Sequence, residues 1–174
     1  MAPISTKSKI IGVMGAGESS CQTDITLAYD VGREIAQKGW VLLCGGRNQG
    51  VMEAAAKGAS EHGGTTVGVL PGEDRSEMSM YIQIPIITGM GQARNQINIL
   101  SSDYVIALAN QPGPGTMNEI YLAIKYKKPL ILISEGSSEN MPLLPLEKVH
   151  TVLNAAEAVK KIDELFASVQ SGQA

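Results

Sequence analysis

The chain has 174 residues, a length that predicts one domain with a core large enough to need neither metal nor disulfide support. It is 44% hydrophobic and 18% charged with 19 glycines, a composition that excludes disorder for most of its length and points to many glycine-dependent turns. Fourteen basic against 17 acidic residues leave a net charge of -3, too balanced for a protein that binds nucleic acid or a membrane surface by electrostatics, although a local phosphate site remains open.

Residues 1–8 are polar and read as a flexible N-terminus without the apolar stretch of a secretory signal. Residues 9–15 (KIIGVMG) read as a strand ending in glycine, and 23–39 as a helix in which Leu27, Val31 and Ile35 recur every four positions. The apolar run 40–46 (WVLLCGG) is a second strand. A second helix follows over 49–64, with Val51, Met52, Ala55 and Ala59 turned inward and Gly63 and Gly64 closing it. Residues 65–72 make a third strand and the polar stretch 73–80 a loop. The alternating run 81–87 (YIQIPII) reads as a short strand.

Downstream, 92–102 carries Ile97 and Leu100 at helical spacing, 103–110 is a buried strand, 115–128 a helix and 129–134 a strand. Residues 135–145 read as a loop, 154–169 as an amphipathic helix, and 171–174 as a flexible C-terminus, which leaves the domain at 9–170. Short apolar strands alternating with helices predict a single-domain α/β Rossmann-like fold: three layers, a mainly parallel sheet and helices on both faces. No segment offers 18 uninterrupted apolar residues, so no membrane span is expected. Cys21 and Cys44 suggest no disulfide and a reducing, cytoplasmic location.

Ligand crevices in such sheets lie outside the carboxyl ends of the strands, and four glycine-rich turns fall there. The first holds Gly15, Gly17 and Glu18, the second Gly45, Gly46 and Arg47, the third Gly72, and the fourth Gly113, Pro114, Gly115 and Thr116. Glycine turns let backbone amides approach an oxyanion, and the helix starts behind them leave amides free to bind it, so together they point to a nucleotide or another phosphorylated ligand. The phosphate-loop pattern GxxxxGK[ST] is absent, and no strict GxGxxG supports NAD.

Arg94 opens a helix at the same side and suits a phosphate or an acidic partner, and Arg47, set between glycines and a helix start, has strong anion-binding logic. Asn48 fits an N-cap of that second helix. Thr116 and Glu119 fit a capping box, in which Glu119 reaches back to an amide; the same carboxylate, at the crevice mouth, is equally suited to hold a sugar hydroxyl or support an oxocarbenium charge. His62 and His150 have no partners at ligand spacing and read as a helix terminus and a loop, so no metal site is expected. Ser19, Ser20 and Cys21 lack a GxSxG elbow and read as cap residues.

The succession GVMGAGE, GWVLLCGGRNQGVMEAAAKGA, GVLPG, ARNQINILSSDYVIAL and PGPGTMNEI over about residues 9–134 resembles the LOG, or lysine decarboxylase-like, Rossmann-fold nucleotide-binding family. It is most similar to the short subgroup that includes the molybdenum cofactor carrier proteins. The resemblance implies binding and carriage of molybdenum cofactor (molybdopterin) without turnover, with Arg94, Asn95, Gly113, Pro114, Gly115, Thr116 and Glu119 among the cofactor-binding residues. It also implies a homo-oligomer, dimer or tetramer, and a molybdoenzyme or cofactor-synthesis protein as partner.

The alternative it implies is a nucleoside 5'-monophosphate phosphoribohydrolase acting on AMP or a similar ligand, with Arg94 and Glu119 catalytic. The family's hydrolase segment, Pro-Gly-Gly-x-Gly-Thr-x-x-Glu, is matched at Gly113, Gly115, Thr116 and Glu119, whereas Gln111 and Pro112 replace its leading Pro-Gly. Arg94 matches the family arginine, and Asn95 stands where a lysine follows it, a loss that favours the carrier over the enzyme.

Overall fold

The computed structural model describes residues 8–134 and 148–171. Within them, seven strands form one all-parallel sheet: β1 (Ile10–Met14), β2 (Val41–Cys44), β3 (Thr65–Leu70), β4 (Ile84–Ile87), β5 (Tyr104–Leu108), β6 (Leu130–Ile133) and β7 (Val149–Val152). Their order across the sheet is β4-β3-β2-β1-β5-β6-β7. The chain winds outward from β1 in one direction and then, through β5, in the other, so the topological switch lies between β1 and β5. This is the expected Rossmann-like single-domain α/β fold.

Central strands buried on both faces explain the uninterrupted apolar runs. In β5 and β6, Ile106, Leu108, Ile131 and Ile133 enter the core beneath α1 (Gln22–Gln37), α2 (Gly50–Glu61) and α5 (Ala155–Ser171). Their neighbours Val105, Ala107, Leu130 and Leu132 enter the opposite core, under α3 (Asn95–Ser101) and α4 (Pro114–Lys125). Among these helices α1 and α2 pack closest. Gly32 faces the α2 backbone so tightly that a methyl group there would come within 2.0 Å of the Ala55 carbonyl oxygen. Cys21 is the N-cap of α1, its sulfur accepting from the Asp24 amide at 3.4 Å, as a cap residue should.

Several expectations need correction. The segment 146–153 carried no assigned element, yet 149–152 forms edge strand β7, which takes His150 out of a loop and into the sheet. The region expected as a helix over 92–102 begins as a 3-10 turn (Gly91–Arg94), and the buried residues of α3 are Asn95, Asn98 and Ile99, while Leu100 is exposed. The strand expected over 81–87 shortens to Ile84–Ile87. Asn48 does not cap α2: Gln49 is the N-cap and makes no side-chain cap bond. His62 does lie at that helix's C-terminus, its Nδ1 2.8 Å from the Gly58 carbonyl oxygen. The loop expected over 135–145 lies outside the described residues, as do 1–7 and 172–174.

Candidate functional site

The turns after β1 and β2 and the start of α4 meet over the carboxyl edge of the sheet around a cavity of about 360 Å³. Of the residues singled out from sequence, Gly15, Gly17, Glu18, Gly45, Arg47, Arg94, Asn95, Gly113, Pro114, Gly115, Thr116 and Glu119 all line it. Gly46 and Gly72 do not. Gly46 has φ +73° and backs onto Gly68 of β3, and the Gly72 carbonyl accepts from the Gly89 amide at 2.8 Å, so both serve turn geometry.

The α4 end supplies amides that lie outside the helix's own ladder. Gly113 is its N-cap without a side-chain bond, Pro114 opens the helix, and the first helical bond runs from the Met117 amide to the Gly113 carbonyl at 3.0 Å. The amides of Gly115 and Thr116 therefore precede the ladder. This start also overturns the capping box: Thr116 lies inside the first turn, and its buried hydroxyl makes no hydrogen bond among the described residues. Glu119 turns instead toward α3, accepting from Asn98 Nδ2 at 2.9 Å, with Arg94 Nη1 3.6 Å from the same oxygen.

Arg94 is 6% exposed and threads between the turns. Its Nη2 lies so close to Gly45 that a Cβ there would sit 2.6 Å from it, so glycine is what lets the guanidinium cross the β2 turn. Nη1 donates to the Asn95 side-chain oxygen, and Nε, though buried, makes no hydrogen bond among the described residues. Burial holds the Arg94 guanidinium below the ordinary arginine range, against the opposing pull of Glu119. Burial likewise raises Glu119 to about 7, with the Asn98 hydrogen bond and the Arg94 charge pulling it back only in part. The buried Cys44 thiol beneath is pushed up to about 11 by the same desolvation and accepts from the Gly46 amide at 3.4 Å, a structural rather than a reactive thiol.

Arg47 reaches the cavity wall but spends Nη2 on Glu77 Oε1 at 3.1 Å. That pair ties the β2 turn to the polar 73–80 segment, which also accepts the Asn48 amide on the Glu77 carbonyl and donates the Ser79 amide to Gly46. Glu18 accepts from Gln49 Nε2 at 3.1 Å. Sequence reasoning missed Asn98, Gln92 and Met52 as neighbours of the site, and Ser19, read as a cap residue, lines the cavity while Cys21 caps the helix. Asn98 was within reach of it, since residues three and four after Asn95 and Arg94 share their helical face.

A doubly wound sheet with a glycine-lined crevice at the ends of its central strands, a helix N-terminus and a buried arginine place the molecule among the Rossmann-like α/β proteins. The chain belongs to the SLOG cluster4 family, whose model matches residues 8–163. Among solved structures it is similar to the molybdenum cofactor binding protein of Rippkaea orientalis, at 43% identity and TM-score 0.87 over 93% of this chain and 99% of that one. It is similar also to the molybdenum cofactor carrier protein of Chlamydomonas reinhardtii, at 42% identity and TM-score 0.83 over 92% and 99%. A cytokinin riboside 5'-monophosphate phosphoribohydrolase of Mycobacterium tuberculosis is 33% identical over 122 residues, 63% of this chain and 62% of that protein. Among the described residues no helix is long and apolar enough to cross a membrane.

Proposed function

We propose that this chain binds molybdenum cofactor through its phosphate and carries it without turnover. The observation that carries this reading is a set of buried donors on lining residues without partners among the described residues, Arg94 Nε and the Thr116 hydroxyl beside the first-turn amides of α4, with Arg47 Nε a third. Leaving such a group unsatisfied costs about 1–3 kcal/mol, and a tetrahedral oxyanion seated there would satisfy the first two while facing the positive end of the helix. Similarity to the Rippkaea and Chlamydomonas proteins, which bind or carry molybdenum cofactor, supports that cofactor as the cargo.

In this reading Gly115 and Thr116 amides, the Thr116 hydroxyl and Arg94 hold the phosphate, and Asn95 and Asn98 fix Arg94 and Glu119. Because Glu119 sits near neutrality, a share of it is protonated at physiological pH, which limits its repulsion of the phosphate. Its protein partner in this reading is a molybdoenzyme or a cofactor-synthesis protein, and the cargo's redox chemistry is used in the molybdoenzyme. We place the protein in the cytoplasm, in keeping with its two free cysteines, as a homo-oligomer, dimer or tetramer. The outer sides of α3 and α4, where Leu100 and Tyr121 are exposed, supply its interface.

One observation favours a second reading, a phosphoribohydrolase acting on AMP or a related nucleotide: Glu119, held near 7 beside a buried arginine, suits a group that activates water or supports a sugar cation. Asn95 in place of the family lysine weighs against it. Native mass spectrometry of the protein with molybdenum cofactor and, separately, AMP decides between them. Stoichiometric retention of the cofactor with AMP intact is the expected result, and adenine with ribose 5-phosphate would establish the hydrolase instead.

A further inference from the structure

A second hollow, of about 520 Å³, opens between the 91–96 segment and α4, and it shares Gln92, Asn95, Pro114 and Gly115 with the first. The two are chemically unlike. The first is walled by Glu18, Arg47, Arg94 and Glu119, whereas no charged side chain lines the second among the described residues. In their place it has four carboxamides, Gln92, Asn95, Gln96 and Asn118, and an apolar flank made by Pro114 and Leu122. A carboxamide sets a donor and an acceptor side by side, which complements an edge of alternating N–H and C=O or ring nitrogen. An apolar flank suits the face of a flat ring.

Asn95 joins the two hollows. It is 2% exposed; its Oδ1 accepts from Arg94 Nη1, and its Nδ2 donates to Asn118 Oδ1 at 3.1 Å and Gln92 Oε1 at 3.4 Å. The buried cation of the first hollow is thus wired through one carboxamide to the polar wall of the second. With its oxygen spent on Asn95, Asn118 keeps an amino group that makes no hydrogen bond among the described residues.

We infer that the second hollow is a subsite for the uncharged, flat nitrogen heterocycle of the same ligand whose phosphate occupies the first, with Asn118 and Gln96 reading its amide-like edge and Asn95 holding the joint. This rests on the first hollow being the phosphate site of a pterin ligand, as proposed above. The combined space is of the size that small-molecule sites take, about 300–1,000 Å³.

The test is Gln96→Leu, at an exposed position that lines the second hollow only and stands outside the Arg94–Asn95–Asn118 hydrogen bonds, titrated with molybdopterin and with inorganic phosphate. Losing that ligand hydrogen bond should weaken molybdopterin binding about fivefold and leave phosphate affinity unchanged. Unchanged molybdopterin affinity in the variant would place the heterocycle elsewhere and overturn the subsite. An equal loss for both probes would overturn it too, since the effect would then reach the first hollow. Wild-type protein that binds phosphate but not molybdopterin would instead bring down the functional reading on which the subsite rests.

Discussion

Thr116 and Glu119 lie one helical turn apart and make opposite demands on the protein. Thr116 is 2% exposed and its hydroxyl is buried and unpartnered among the described residues, so Thr116→Val removes a polar group that the ligand-free fold does not use. Ligand-free stability should hold or rise slightly, while phosphate affinity falls about fivefold for the loss of roughly 1 kcal/mol of hydrogen bonding. Thermal melts and a phosphate titration read the two effects separately, and a fall in melting temperature with unchanged affinity would reassign Thr116 to the fold. Glu119 is a matter of sign. Its native pKa is raised from 4.5 to about 7, so between those values the native state binds more protons than the unfolded chain. Its contribution to stability is full below the unfolded value and is lost as pH rises through about 7. Glu119→Gln removes that slope: denaturant unfolding from about pH 5 to about pH 8 should show the wild type losing stability relative to the variant as pH rises. Parallel curves would mean that Glu119 is ionised across the range.

Elements were legible where packing and local pattern agree. The two-sided runs of β5 and β6 and the small-residue face of α2 read directly because their burial is set by the period of the element itself. Edge strand β7 did not, since VHTV is half-exposed and too short to carry alternation, and only its pairing with β6 makes it a strand. The inward face of α3 was misleading for a related reason. It buries Asn95 and Asn98 because they serve Arg94, Glu119 and Asn118 rather than the core, so hydrophobic spacing, though it found Ile97, which packs on the core, also pointed at the exposed Leu100 and passed over the buried Ile99. Most lining residues of the site followed from glycine turns at strand ends, but the orientation of Glu119 depends on where α4 begins, which Pro114 sets one turn earlier than the capping box required. Tight contact between α1 and α2 gives the element-scale prediction. Gly32→Ala would drive a methyl group to 2.0 Å from the Ala55 carbonyl oxygen, a backbone atom that moves only with its helix. The cost should be about 2 kcal/mol or more by denaturant unfolding, and a neutral result would mean that the two helices separate without penalty.

At the scale of the whole molecule, the site exists only because of strand order. Gly15 to Ser19, Gly45 to Arg47, Arg94 with Asn95, and Gly113 to Glu119 are far apart in the chain, and the sheet gathers them because β1 stands between β2 and β5. The turns are braced to one another: the Val51 amide donates to the Ala16 carbonyl, and Asp24 of α1, fully buried, accepts from Asn110 Nδ2 at 2.7 Å and the Gln111 amide at 3.3 Å just before α4. An anion held at the α4 N-terminus and Arg94 should therefore slow opening in several loops together, since each rests on the next. Hydrogen exchange with and without saturating phosphate tests this. Protection should appear jointly in the 15–20, 45–49 and 114–119 segments, leaving β7 and α5, on the far side of the sheet order, unchanged. Protection confined to the 114–119 segment would mean that the helix terminus binds the anion alone, and that the turns after β1 and β2 wall the cavity without taking part in binding.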